Sequence, residues 1–153
     1  FTTSFFISSA TTLSINVQQN LYDKKQNFKG WENKYGFYNE EVLEGKKIRW
    51  IGIDASEVMD KDGSVMIIPM RDGNPAGHKI PTFVRIYVDN ILVKVVMLRR
   101  GLWYDVKLNV PNAARDKFTL TISVSRSWVP KKLGINNDTR ELGIMVGETR
   151  FIN

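Results

Sequence analysis

The sequence predicts an all-β fold, an antiparallel β-sandwich of jelly-roll-like topology. Three observations carry that prediction. Apolar and polar residues alternate with period two in one segment after another. The cleanest case is 117–125, where Phe118, Leu120, Ile122 and Val124 share one face and Thr119, Thr121, Ser123 and Ser125 the other. The segments are short and separated by Gly, Pro, Asp and Asn, as in sandwiches. No stretch carries a sustained helical apolar period, and only Asn112–Asp116 has room for a single helical turn.

In chain order, residues 1–44 read as an N-terminal strand and a long aromatic loop. Phe5-Phe6-Ile7 is apolar, and Leu13, Ile15 and Val17 alternate. Residues 20–47 hold Tyr22, Phe28, Trp31, Tyr35, Phe37 and Tyr38 without helical or strand period, so they are expected to form a loop that packs its rings on the sandwich. Residues 45–153 read as the sandwich core, and 1–153 as a single domain. Within it, 48–55 is rich in β-formers and Asp60-Lys-Asp-Gly63 is a turn. Residues 64–70 are apolar on both parities, as in a strand covered on both faces, with Pro69 near the end where a missing donor is tolerated. The Gly- and Pro-bearing segment 71–81 is a loop. Val84, Ile86 and Val88 share a face of 82–88, and Asp89-Asn90 separates that strand from 91–98 as a tight hairpin turn. Leu102, Tyr104, Val106, Leu108 and Val110 share a face of the next strand, and 141–151 closes the fold.

The composition excludes several kinds of chemistry. The chain has 153 residues, a formal charge of +6 and no cysteine, which rules out disulfides and thiolate sites. The cations fall in scattered pairs rather than one basic block, and no RNP-type motif is present, so nucleic acid is not an expected partner. No apolar run is long enough for a transmembrane segment. The chain opens on Phe1, as expected of a piece of a larger parent protein. His78 is the lone histidine; neither a zinc cluster nor a Gly-x-Ser-x-Gly elbow nor a phosphate loop accompanies it. Glu40, Glu41 and Glu44 read as solvated loop acids. Asp60-Lys-Asp-Gly63 lacks the spaced acids of a calcium loop. No catalytic residue, metal or cofactor is expected, and the chain is not expected to be an enzyme.

The stretch from Ser123 to Val146 organises the chain. Arg126 and Trp128 continue the core parity of the strand before them, and Leu142, Ile144 and Val146 point inward on the returning strand, with Asp138 and Arg140 on the same parity. An arginine entering a core edge needs a partner. Asp138 is expected to pair bidentately with Arg126, and Glu141 is the other nearby candidate. Trp128 is expected to cap the cluster by cation–π contact with Arg126 or Arg140. Two readings stand: a polar latch closing one end of the sandwich, or a sugar site in which the indole stacks on a ring and the charged groups bind hydroxyls. Phe83, Tyr87 and Trp103 lie on the parity opposite the core, so either a second layer (the 20–47 loop) covers them or they form an exposed platform.

Ser125-Arg-Ser-Trp-Val-Pro-Lys-Lys-Leu-Gly-Ile-Asn-Asn-Asp-Thr-Arg-Glu-Leu-Gly-Ile-Met-Val146 resembles a C-terminal signature of accessory β-sandwich domains in bacterial glycosyltransferases and envelope-polysaccharide proteins. That signature reads S-R-T-W-V-P, a short loop with L-G, then D-x-R-x-L-G-[IV]-x-[IV]. Lys47-Ile-Arg-Trp-Ile-Gly52 and Val84-Arg-Ile-Tyr-Val-Asp89 agree as well, so the resemblance runs from Gly45 onward. Gly36-Phe-Tyr-Asn-Glu-Glu41 departs from the family's G-W-[YH]-P-x-E piece, and Asn90 stands where the hairpin glycine would be. The resemblance implies a non-catalytic appended module, carbohydrate-binding-module-like, extracytoplasmic or membrane-associated in bacteria. Its expected partners are a glycan or cell-envelope polysaccharide and the rest of the parent protein. The ligand-binding candidates are Trp128, Arg126, Asp138, Arg140, Trp103, Tyr87 and Phe83. The alternative is a structural or protein-interaction sandwich without a small ligand.

Overall fold

The structure, a computed structural model, describes residues 34–76, 79–112, 114 and 116–153. These hold ten strands: β1 (Lys34–Phe37), β2 (Glu41–Leu43), β3 (Lys46–Asp60), β4 (Val65–Arg71), β5 (Thr82–Val88), β6 (Ile91–Leu98), β7 (Trp103–Asn109), β8 (Lys117–Val124), β9 (Met145–Gly147) and β10 (Arg150–Ile152). Every strand pair is antiparallel. Among the described residues there is no α-helix, and the short 3-10 turn Lys131–Leu133 interrupts the organising stretch. The all-β, jelly-roll-like sandwich read from the alternation is the fold observed.

β3 belongs to both sheets. Its far half, Asp54–Asp60, pairs with β8, and the first sheet runs β1–β3–β8–β5–β6. Its near half pairs with β2 and β9, and the second sheet runs β2–β3–β9–β4–β7, with β10 following β9 along β4. The change of sheet falls around Gly52. There Ile51 donates its N–H to the Ile144 carbonyl at 3.0 Å and Gly143 donates to the Ile51 carbonyl at 2.6 Å. A Cβ on Gly143 would lie 2.4 Å from the Gly52 carbonyl oxygen, so only glycine fits this crossing.

The core fills the space between the two inner faces. Met66, Ile68, Met70, Val106 and Leu108 come from one sheet, and Val84, Ile86, Val88, Phe118, Leu120, Ile122 and Val124 from the other, with Ile51 and Ile144 at the crossing. Each such side chain contributes about 1.5–3 kcal/mol by leaving water. β4 is buried on both faces as its sequence implies, with Ile67 as well as Met66 and Ile68 enclosed. The Asp89-Asn90 hairpin forms. Both residues have positive φ, 48° and 67°, matching the type I′ geometry that suits strand twist.

Two readings are corrected. Residues 34–47 are not one continuous loop: β1 and β2 pair with β3 there, and only 38–40 and the turn at 44–45 lie between strands. Leu102 does not share the inward face with Val106 and Leu108. It precedes β7 and is 59% exposed, because the strand begins only at Trp103. The expected strand at Leu13–Val17, the loop rings before residue 34, and His78 lie outside the described residues.

Candidate functional site

Beyond β8 the chain reaches Arg126, whose guanidinium is anchored at three points. Nε donates to Thr82 Oγ1 at 3.1 Å, and a terminal nitrogen donates to the Ile80 carbonyl and lies 3.7 Å from Asp72 Oδ2. Asp72 is fully buried; it also accepts the Thr82 hydroxyl at 2.7 Å and the Asn74 N–H at 2.8 Å. Asn74 in turn accepts the Ala76 N–H at 3.0 Å, so successive side-chain turns shape the start of the loop after β4. The expected Arg126–Asp138 pair is therefore corrected: the partner is Asp72, brought from a loop far back in the chain.

Asp138 instead holds Arg140. Arg140 Nε lies 3.1 Å from both carboxylate oxygens, a terminal nitrogen 2.8 Å from Oδ2, and the Arg140 N–H donates to Oδ1 at 3.0 Å. The other terminal nitrogen donates to Glu41 on β2 at 3.1 Å, and the guanidinium sits 5.2 Å from the centre of the Tyr38 ring. The Arg140 hydrogen bonds hold Asp138 below the ordinary carboxylate range, and Asp138 first, with Glu41, raises Arg140 beyond its already high value. Ser127 donates to Glu141 at 2.8 Å and Lys131 N–H to the Asp138 carbonyl at 2.8 Å, closing the loop between the two arginines.

Trp128 exchanges backbone hydrogen bonds with Leu142 at 2.8 and 2.7 Å. Its indole meets Trp50 edge-on, with centroids 6.0 Å apart and planes at 75°. Neither arginine sits over the ring, so the expected cation–π cap is corrected: Arg140 stacks on Tyr38, and Trp50 takes the contact with Trp128. Trp50 is itself pressed against Gly73, where an added Cβ would lie 2.8 Å from the indole.

Phe83, Tyr87 and Trp103 do not form one platform. Phe83 and Tyr87 stand on the outer face of the first sheet, Trp103 on that of the second. Tyr87 is buried, Phe83 is 43% exposed beside Met97, and Trp103 is half-buried at the head of β7. Lys46 Nζ lies 5.4 Å and the Arg71 guanidinium 6.0 Å from the centre of the Trp103 ring. Beside this indole runs a groove of about 540 Å³. Ile48, Pro69 and Gly147 contribute its apolar lining; Trp103, Lys46, Lys47, Asp105, Glu148 and Arg150 supply a ring face and charges. Arg150 pairs with Asp105 at 3.2 Å.

The outward parity of Trp103 was readable from β7, whereas its neighbours Lys46, Pro69 and Arg150 come from strands whose order no local pattern specifies. Another cleft, lined by Arg49 and Glu57, offers less. Those two groups bind each other bidentately at 2.9 Å, and Arg49 covers the Phe37 ring at 4.1 Å. Among the described residues no group of three potential metal ligands converges, and no helix is long and apolar enough to cross a membrane.

No protein-family model matches the chain, and no curated protein does. Among solved structures, a family 35 carbohydrate binding module from Clostridium thermocellum is similar at 10% identity and a TM-score of 0.42, covering 78% of this chain and 91% of that one. A family 35 module from an environmental isolate gives 11% identity and a TM-score of 0.41, covering 76% and 91%. A family 29 carbohydrate binding module gives 15% identity and a TM-score of 0.37, covering 78% and 82%.

Proposed function

We propose that this domain is a non-catalytic accessory module that binds a glycan in the groove beside Trp103, as part of a bacterial envelope sugar-handling protein. The observation that supports this reading is the half-buried indole set beside an open groove with charged groups within reach. Sugar binding needs little more. A ring face covers the apolar face of a pyranose, and charged side chains orient its hydroxyls. Pro69 and Gly147 add apolar lining, and Lys46, Lys47, Glu148 and the Arg150–Asp105 pair present donors and acceptors. The envelope setting, extracytoplasmic or membrane-associated, rests on the resemblance of Ser125–Val146 to the accessory-domain signature.

Affinity is expected at about 10 µM to 1 mM, since little area is buried and hydroxyls must shed water. Bacterial surface oligosaccharides titrated into the domain should quench or shift tryptophan emission and release heat. Trp103→Ala should weaken binding at least about tenfold. Trp128→Phe, which alters packing on Trp50, should leave affinity unchanged. Absence of a saturable signal up to tens of millimolar saccharide would replace this reading with the structural or protein-interaction sandwich.

A further inference from the structure

The outer side of the β5–β6 hairpin carries a surface that the groove does not use. On the outward face of β6, Leu92, Val95 and Met97 are 45%, 52% and 43% exposed, and Phe83 of β5, the register partner of Met97, is 43% exposed. Register places Arg85 opposite Val95, and Arg99, exposed, follows directly after the end of β6. β6 is also the last strand of its sheet: among the described residues it pairs only with β5. A long apolar edge strand is a feature that proteins ordinarily blunt or cover.

The charge around this strip is of one sign. Between Lys79 and Leu102 the chain holds five cations (Lys79, Arg85, Lys94, Arg99 and Arg100) and one carboxylate, Asp89; Lys94 stands on the other face, in register with Ile86, and donates to the Lys107 carbonyl, which leaves four cations for the strip. Asp89 sits in the hairpin turn with Oδ1 accepting the Thr119 N–H at 2.9 Å, pointing it toward β8. None of the five cations makes an ion pair with a described residue. Across the sheet from Arg85, past Ser123, the next carboxylate in register is Asp54, which is buried.

We infer that the outward face of the β5–β6 hairpin docks on an anionic lipid bilayer, with Phe83, Leu92, Val95 and Met97 entering the interfacial layer and Arg85 and Arg99 meeting the headgroups. Charge complementarity selects this occupant. A second copy docked through the same face would set two positively charged faces against each other, which disfavours two-fold pairing. The edge amides of β6 need water or headgroup oxygens, which keeps the strand at headgroup depth and out of the hydrocarbon. Such binding is weak per residue and salt-dependent, each cation adding to the attraction. This surface lies on the first sheet and the Trp103 groove on the second, so lipid docking stands independently of the glycan reading.

The test is co-sedimentation of the full chain with phosphatidylcholine vesicles, with or without about one-third phosphatidylglycerol. The chain should pellet with the anionic vesicles only, and progressively less as salt is raised. Val95→Ser with Met97→Ser, and separately Arg85→Gln with Arg99→Gln, should each weaken binding at least about tenfold. Lys117→Gln, a charge loss at an exposed position on β8, should stay within about twofold. Circular dichroism melts establish that each variant is folded. Failure to pellet with anionic vesicles overturns the inference, as does binding that neither double variant weakens. Sedimentation equilibrium showing self-association that Val95→Ser with Met97→Ser abolishes would assign the face to a second copy instead.

Discussion

Arg126 and Arg140 flank one loop, and each holds an aspartate, yet the two clusters are built on different principles. Asp72, the partner of Arg126, is wholly enclosed and arrives from the loop after β4. Asp138, the partner of Arg140, lies two residues away with its side chain 24% exposed. The first cluster joins distant parts of the chain: the segment just after β4, the residues leading into β5 and the end of β8. The second shapes its own loop and reaches outward only to Glu41 and Tyr38. Identical functional groups thus serve a long-range closure in one case and a local fold in the other, and burial of the carboxylate separates them.

The sharpest way to break this contrast is to remove Arg126. Arg126→Ala should destabilise the domain by about 3 kcal/mol, because it leaves the enclosed Asp72 without its counter-charge. Asp72→Ala should cost a similar amount, and the double variant should cost less than the sum. Urea unfolding of the four species measures this directly, and strict additivity would show that the two groups are not energetic partners.

Arg140→Ala should cost about 1 kcal/mol or less, since its ion pairs are partly solvated. Added salt should erode that cost and leave the Arg126 effect nearly unchanged. An Arg140 loss as large as that of Arg126 would erase the distinction drawn from burial.

The smallest effect is one of pH. Asp138 has a lowered carboxyl pKa in the folded chain, so the folded state favours its charged form. Its stabilising contribution is fully present above the ordinary carboxylate value of about 4 and is lost as pH falls through the lowered folded value. The stability difference between the parent chain and Asp138→Asn should therefore be flat at neutral pH and shrink only in strong acid. A difference that changes near neutrality would mean that another group governs the loop.

Where a feature depends on neighbours in sequence, it was legible. β8 shows its apolar face at every second residue, although Thr121 and Ser123, expected to point out to solvent, are buried too, and the Asp89-Asn90 turn announces the hairpin. β1 and β2 carry no strand signal of their own, because four and three residues are too few to display a period; their strand character comes from pairing with β3. The need of Arg126 for a carboxylate is legible, but nearness in sequence points to Asp138, whereas the fold supplies Asp72 from the segment after β4. Trp103 was visible as an outward ring. The groove beside it depends on the order β3–β9–β4–β7, which no local pattern encodes.

The passage of β3 through both sheets bears on how the domain comes apart. Its 15 residues at about 3.3 Å each form a spine of about 50 Å, hydrogen-bonded to β8 at one end and to β2 and β9 at the other. Neither sheet can peel away as a separate foldon, because opening either one unzips a strand that the other shares. Amide protons at Ile51 and Ala55 should therefore exchange only when the whole domain unfolds. Its assembly has to wait for pairings such as Asp54 with Ser123 and Arg49 with Val146, whose loops must close before any contact repays the lost entropy. The strand that joins the two halves should make folding slow and hold the described strands in one cooperative unit.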